Sequence, residues 1–348
     1  MRLVLSCLVA ALLAACAASG NGTPSIQLPA LRPAPTEPRS SSGHIYVAFV
    51  STAYKGGAEV FEYEPGTNHP IAEPYDAYGE PSGFAFDSAG YMYLANYNQP
   101  GGSGSVFALD PNPRTIRKGV SNPYSIALDA NDRLYVANTS GKNNSSVTIY
   151  EPHSDVVVAT LTSGISFPRS IAIDSAQNLY VANSGTGAGT VEVFPPNSTV
   201  PAYSIVDGIN QPFAVALGPN GNLYVANFSG NTVSVYRPGS TKPSLTISYQ
   251  VSSPSSLAID PLRKVLYVAN WAYPADGDIT AYKLTAGTFL REITKDVNTP
   301  YSIAVDGAGR LYVANFFRFV SIYKYGTGKL IGRIRHYYYG SVYVAYER

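Results

Sequence analysis

Beyond residue 43 the chain is a succession of short apolar runs set between clusters of Gly, Asp, Asn and Pro. Within the runs, apolar side chains alternate with small or polar ones, as in "SVTIY" at 146–150 and "TVSVY" at 232–236. A period of two turns one face of an extended segment toward a core, and it predicts β-strands rather than helices. One run is rewritten almost without change. "LYVAN" stands at 134–138, 179–183, 223–227, 266–270 and 311–315, with "MYLAN" at 92–96. Its tyrosines, at 93, 135, 180, 224, 267 and 312, are 42, 45, 44, 43 and 45 residues apart, and a weaker copy, "IYVAF", puts Tyr46 another 47 residues upstream. A fixed period of this length is the mark of a repeat architecture.

Each full unit has one grammar. A proline opens a short apolar segment that ends in Asp, and a polar turn leads into the pentapeptide. After a loop of variable length come an alternating run and a weaker fourth run, such as "VVVATL" (156–161) or "SLTISY" (244–249). The first two segments flank tight turns, Asp129-Ala130-Asn131-Asp132 in one copy and Asp306-Gly307-Ala308-Gly309 in another. Asp bonds back to the turn backbone, and Gly takes the positive φ that such hairpins need. Four short strands per period predict an all-β fold, a β-propeller of four-stranded blades. One such sheet cannot bury both its faces, whereas a ring of them can.

Six complete units begin at Pro81, Pro123, Pro168, Pro212, Pro254 and Pro300. Residues 44–76 supply second, third and fourth strands ("IYVAFV", "EVFEY", "HPIAE") without a first, and the tail "HYYYGSVYVAYER" (336–348) supplies a strand with no other place. Joining the two gives seven blades, the C-terminal strand closing the first. Because the tail lacks the Pro-x-Ser-Ile-Ala grammar, a six-bladed ring with loose ends is the alternative.

In the pentapeptide, Leu134, Val136 and Asn138 share one face, and Tyr135 and Ala137 the other. Large against small suits wedge-packed blades, as does the Ala that recurs in the first strand at 127, 172, 258 and 304, where blades crowd toward the axis. The terminal Asn (Asn96, Asn138, Asn183, Asn227, Asn270, Asn315) is expected to be structural, its amide bonding the backbone of the loop that follows. A ring of ligand-binding amides is the alternative.

The segment "PYSIALDANDRLYVANTSGKNNSSVTIYEP" resembles the NHL-type repeat and its relatives among YVTN-type and lactonase-like propellers. The resemblance covers about 300 residues, the whole repeat region. It implies the propeller fold strongly and function weakly, since such propellers serve enzymes, scaffolds and sensors. Lactonase-like relatives hold a divalent ion near the channel with Glu, Asn and Asp.

Composition adds an address. Charged residues are 14% with net charge +1, so no basic stripe is available for nucleic acid. The start, "MRLVLSCLVAALLAAC", has one cation, Arg2, and an apolar run to Ala15 that is shorter than the roughly 20 residues of a spanning helix. Residues 1–15 read as a signal peptide. Leu13-Ala14-Ala15-Cys16 resembles the bacterial lipobox, which implies that Cys16 carries lipid; an ordinary signal peptide is the alternative. The chain has only Cys7 and Cys16, so the Cys at the cleavage position is no disulfide partner within the mature chain. Ala17 follows in place of the Asp that would favour inner-membrane retention, so the implied location is the bacterial envelope, on the outer membrane where there are two. Residues 16–43 hold the lipidated Cys and a Pro/Ser/Gly-rich tether, and residues 44–348 are the propeller. A monomer is expected.

In a propeller the start of the first strand and the loop after the second lie on one face. After each repeat proline come Ser82, Tyr124, Arg169, Phe213, Ser255 and Tyr301, and the loops add Tyr97, Phe228, Trp271, Tyr273, Phe316 and Phe317. An aromatic rim with Asn, Ser and Arg suits carbohydrate or peptide capture. The bland alternative is that these side chains merely cover the rim. Catalytic signals are poor: His44, His69, His153 and His336 fall away from the predicted channel, and no HxxxH or Cys/His cluster occurs. The acids nearest the face are Glu80 and Asp207, with Asp276 and Asp278 in "PADGD", a conceivable calcium loop or a plain surface turn. No metal or cofactor is assigned. The favoured function is an envelope-anchored, non-catalytic binding or scaffold propeller that recognises a glycan, peptide or protein by its loop face. A lactonase-like hydrolase or lyase and a purely structural envelope protein are the other two readings.

Overall fold

The structure, a computed structural model, describes residues 43–51, 57–72, 74–97, 104–110, 113–139, 145–185, 187–272, 276–316, 319–335 and 342–347. The signal peptide, Cys16 and the tether lie outside them. Among the described residues there is no helix, and the 28 strands form seven four-stranded antiparallel sheets. The innermost strands are Val342–Tyr346 in blade 1, then Glu80–Phe86, Pro123–Leu128, Pro168–Ile173, Pro212–Leu217, Pro254–Asp260 and Pro300–Val305 in blades 2 to 7. Each packs against the next, and Val342–Tyr346 packs against Glu80–Phe86, so the ring closes. The protein is a seven-bladed β-propeller.

Closure follows the expected route. Val342–Tyr346 pairs with Ile45–Ser51 as the inner strand of blade 1, with Ala345 opposite Tyr46. Ala127 stands opposite Tyr135, and Ala304 opposite Tyr312, in the same way. Glu347 takes the place of the Asp that ends five of the other six inner strands, blade 5 having Gly218 there, with Tyr46 Oη 3.5 Å from its carboxylate. One strand differs from expectation. The fourth strand of blade 1 is Tyr75–Tyr78 rather than "HPIAE", whose described residues, 69–72, make a single bridge from Pro70 to Tyr63. Proline lacks the N–H a ladder needs, and two prolines, Pro70 and Pro74, fall in that stretch.

Every blade is half of two cores. Leu134 and Val136 pack with Tyr93, Ala95 and Val106 of blade 2. Tyr135 and Ala137, from the same strand, pack with Ile171, Leu179 and Phe194 of blade 4. Blade 1 behaves alike, with Val47 and Val344 packed on Tyr312 and Ala314 of blade 7, and Tyr46 and Ala48 on Met92 and Leu94 of blade 2. The tyrosine hydroxyl, carried into this interior, needs a partner. Tyr46 donates to Glu62 at 2.8 Å, Tyr93 to Asp110 at 3.2 Å and Tyr224 to Leu284 O at 2.8 Å. In three blades the hydroxyl finds the Asp that ends the inner strand: Tyr135 donates to Asp129 Oδ2 at 3.3 Å, Tyr180 to Asp174 at 3.1 Å and Tyr312 to Asp306 at 3.0 Å. The other carboxylate oxygen closes the hairpin, Asp129 Oδ1 accepting from Asn131 N at 2.9 Å and Arg133 N at 3.0 Å.

The repeated Asn is buried, and its role differs in one respect from expectation. It clasps the loop that precedes its blade as well as the start of the third strand that follows it, as in Asn227 to Thr232 Oγ1 at 3.1 Å and Asn315 to Phe319 O at 3.2 Å. Asn227 Oδ1 accepts from Asn210 N at 3.0 Å, and its Nδ2 donates to Gly208 O at 2.9 Å. Asn138, Asn183, Asn270 and Asn315 make the corresponding bonds 17 to 20 residues upstream. The inner strand separates the two ends of this bond, so the amide fixes the crossover arriving from the preceding blade. Asn96 is equally buried, but its amide has no partner among the described residues.

Buried tyrosines predict an alkaline limit. Burial pushes the hydroxyls of Tyr135, Tyr236, Tyr267 and Tyr323 up to about 12, and those of Tyr93, Tyr180 and Tyr312 higher still. An unfolded tyrosine ionises near pH 10, so above that value the unfolded chain has lost protons that the folded one keeps. Stability is therefore full below pH 10 and falls as pH rises toward 12, by about 1.4 kcal/mol per pH unit for each such residue. Tyrosinate absorbance is expected to appear in one step with loss of the β circular dichroism. Gradual ionisation of most tyrosines in a folded chain would contradict these burials.

Candidate functional site

A bulge at the head of the inner strand builds the site. In blades 2 to 7 the pairing register slips between the repeat proline and the residue two positions on, as between Pro123 and Ser125 or Pro300 and Ser302. The residue between them belongs to no ladder pair. A bulge frees and re-aims such a side chain, and here Ser82, Tyr124, Arg169, Phe213, Ser255 and Tyr301 are aimed into the mouth of the central channel. They line a cavity of about 120 Å³ together with Ser125, Ser170, Ala214, Ser256, Ser302 and Tyr343.

A second device sets the rim. The residue before the proline is left-handed in five blades: Asn122, Phe167, Gln211, Ser253 and Thr299 have φ of 49, 50, 53, 44 and 48°. Such conformations cost on the order of 1 kcal/mol or more each in side chains other than Gly. In return the carbonyl of that residue accepts from the residue just after the pentapeptide. Phe228 N bonds Gln211 O at 3.0 Å, Trp271 N bonds Ser253 O at 3.1 Å and Phe316 N bonds Thr299 O at 3.2 Å. Rim side chains are thereby tied to the same turn that aims the channel side chains.

The two sets meet. Tyr97 stands edge-on to Tyr124 at 6.0 Å between ring centres, and Tyr124 edge-on to Phe213 at 6.5 Å. Phe213 continues to Phe228 at 4.9 Å, and Phe228 to Trp271 at 5.8 Å. On the far side Tyr301 touches Phe316 at 5.7 Å and Tyr343 at 5.2 Å. The hydroxyls of Tyr124 and Tyr301, from blades 3 and 7, meet across the channel at 2.7 Å. Arg169 lies with its Cζ 4.4 Å from the centre of the Tyr124 ring and 5.0 Å from that of Phe213, and its Nε donates to Ser184 Oγ at 3.2 Å. Each of the seven blades thus sends at least one large side chain to a single contact chain, and all of these side chains are half-buried. Tyr273 and Phe317 lie outside the described residues.

Burial in the channel holds the hydroxyls of Tyr301 and Tyr343 well above the ordinary range, the nearby Tyr124 adding to the effect. Both are neutral donors at any physiological pH. Glu80, exposed at the rim, is held above the ordinary carboxylate range by desolvation. Trp271 Nε1 is buried with no hydrogen-bond partner among the described residues.

Two features escape a reading of the repeats. Tyr343 comes from the tail strand and stands opposite Ala48, the position where the other blades put Gly83, Ser125, Ser170, Ala214, Ser256 or Ser302. A single large ring therefore fills a level that six blades leave small. The serines at the head of the inner strands also stitch neighbouring blades. Ser82 Oγ donates to Pro123 O at 2.6 Å and Ser255 Oγ to Pro300 O at 2.9 Å, while Ser125 and Ser170 accept from Ile171 N and Val215 N at 3.2 and 3.1 Å. The recurrent Pro-x-Ser was the available signal.

The acids do not assemble. Asp207 sits on an exposed crossover turn, where its carbonyl accepts from Tyr236 Oη at 2.6 Å. Asp278 accepts from the Asn270 amide at 2.6 Å, and Asp276 from Asn298 Nδ2 at 2.8 Å. His44 is buried beside Glu62, and His153 near Asp110, both away from the channel lining. Among the described residues no three His, Cys, Asp or Glu side chains are grouped to hold a metal ion. Five of the six repeated Asn amides are spent on the crossovers, and Asn96 is the exception. The chain matches no protein-family model and no curated protein.

Proposed function

We propose that the protein is an envelope-anchored binding propeller of NHL or YVTN type that captures a ligand at its channel mouth without chemical turnover. One observation carries this reading. Side chains from every blade converge on one face as a continuous, half-buried aromatic chain around a guanidinium and two neutral phenols. Flat aromatic faces with a few convergent polar groups suit a saccharide or an extended polymer segment. The fold itself is compatible with binding and scaffold roles alike.

The anchor rests on the N-terminal segment. Lipid on Cys16, followed by a Pro-rich tether, would hold the propeller outside the cytoplasm and away from the bilayer. Expressed in a bacterium, the full chain is expected in the membrane fraction, and Cys16→Ser in the soluble one. Equal membrane association of both would remove the anchor from this reading.

The binding face has its own test: a glycan and peptide screen on the full chain, repeated with Trp271→Ala and Tyr301→Ala. Loss of one stacked aromatic platform is expected to weaken capture by about tenfold or more. Binding that survives both substitutions would put the site elsewhere. A screen with no binding at all would favour a structural envelope role.

A further inference from the structure

The channel mouth holds one guanidinium, Arg169, without a salt-bridge partner, with the carboxyl of Glu80 at the rim acting on the same Tyr97 and Tyr343 hydroxyls as Arg169 does. Among the described residues no carboxylate lies within 4.0 Å of the Arg169 guanidinium. Five other arginines, Arg114, Arg133, Arg263, Arg310 and Arg333, each meet an Asp, and none of the remaining arginines lines the channel mouth. Arg169 instead lies in the cavity with its Cζ over the faces of Tyr124 and Phe213, two rings nearly perpendicular to each other, and with its Nε on Ser184 Oγ, while its terminal amino groups have no hydrogen-bond partner among the described residues. A planar, half-desolvated guanidinium with unused N–H groups is a seat for an anion, above all for a planar carboxylate bonded through two oxygens.

The surroundings narrow the ligand further. Peptides captured as added strands use free main-chain N–H and C=O groups. At this mouth several such groups are already taken, Pro123 O by Ser82, Ile171 N by Ser125, Val215 N by Ser170 and Pro300 O by Ser255. What remains for a ligand is side-chain chemistry: ring faces, phenol hydroxyls of which two are bonded to each other, one guanidinium and, at the rim, Glu80. Sugar rings offer the complement, C–H faces for aromatic rings and hydroxyls for phenols. The geometry points to an acidic saccharide, a chain of hexuronate-type sugars, as the ligand, with one carboxylate on Arg169 and adjoining rings along Phe213, Phe228 and Trp271. This inference rests on the mouth being a binding site, as proposed above, and adds the charge and class of what it binds.

The test uses the full chain in detergent and titration calorimetry with four probes: tri-galacturonate, its methyl ester, a neutral gluco-oligosaccharide and a Glu-rich tetrapeptide. Tri-galacturonate is expected to bind about 10- to 100-fold more tightly than its ester, the range of one charge-assisted bidentate contact. Arg169→Gln should abolish that difference while leaving the thermal midpoint nearly unchanged. Arg169→Lys, which keeps charge but not the fork, should recover only part of it. Equal affinity for acid and ester, lost on Trp271→Ala, would overturn the anionic ligand and leave the aromatic binding face standing. Preference for the acidic peptide over every saccharide, dependent on Arg169, would overturn the saccharide class. If no saccharide binds, the inference fails, and if the peptide also fails to bind, the binding face loses its support with it.

Discussion

A four-stranded sheet with two apolar faces cannot exist alone in water, and the rest of this molecule follows from that. Each second strand turns Leu and Val to one neighbour and Tyr and Ala to the other, so each core belongs to two blades. Covering both faces of every sheet requires a ring, and a ring requires that its first and last blades be joined. The tail strand does this by completing blade 1 in register with Ile45–Ser51. Tyrosine suits the design because it brings a large apolar body and one hydroxyl, and in three blades the Asp that closes the adjacent hairpin receives that hydroxyl.

The same ring separates scaffold from site. Positions that recur, the Asn, the Ala, the Tyr and the proline, are consumed by contacts within and between blades. The bulged residue after the proline has no pairing duty. The residue after the pentapeptide is held in blades 3 to 7 by its backbone N–H, its side chain bonding the frame, among the described residues, only at Thr139 and Ser184. Side chains at these two positions are free to differ from blade to blade, and they do: Ser, Tyr, Arg, Phe, Ser and Tyr at the first, with aromatics in four blades at the second. Chemistry in such a fold belongs where the repeat stops repeating.

Much of this was legible in the chain itself. Period, strand order and proline register pointed to a propeller, and the unmatched head and tail pointed to its closure. The bulge positions, readable from the proline, line the channel mouth because a strand start lies at the face whatever its side chain. Other features were hidden for physical reasons. Tyr343 was obscured because the tail carries no Pro-x-Ser and pairs without a bulge, so its level in the channel depends on register alone. The serine stitches join residues about 45 positions apart, a distance over which local pattern carries no information about pairing. The upstream Asn bonds depended on the crossover lying beside the end of the second strand, which only the closed blade brings about. The fourth strand of blade 1 was displaced by prolines whose cost to a ladder outweighs the apolar pattern around them.

The interdependence of the blades is open to one direct measurement. Removing residues 342–348 takes the inner strand from blade 1 and leaves the other six sheets with every residue they had. Hydrogen exchange by mass spectrometry on the intact and shortened chains then compares protection blade by blade. If cores are shared around a closed ring, the shortened chain should lose protection in all seven sheets together, with blades 2 and 7 no slower to exchange than blade 1. Loss confined to blade 1, with native protection from blade 2 through blade 7, would mean that the sheets stand without closure.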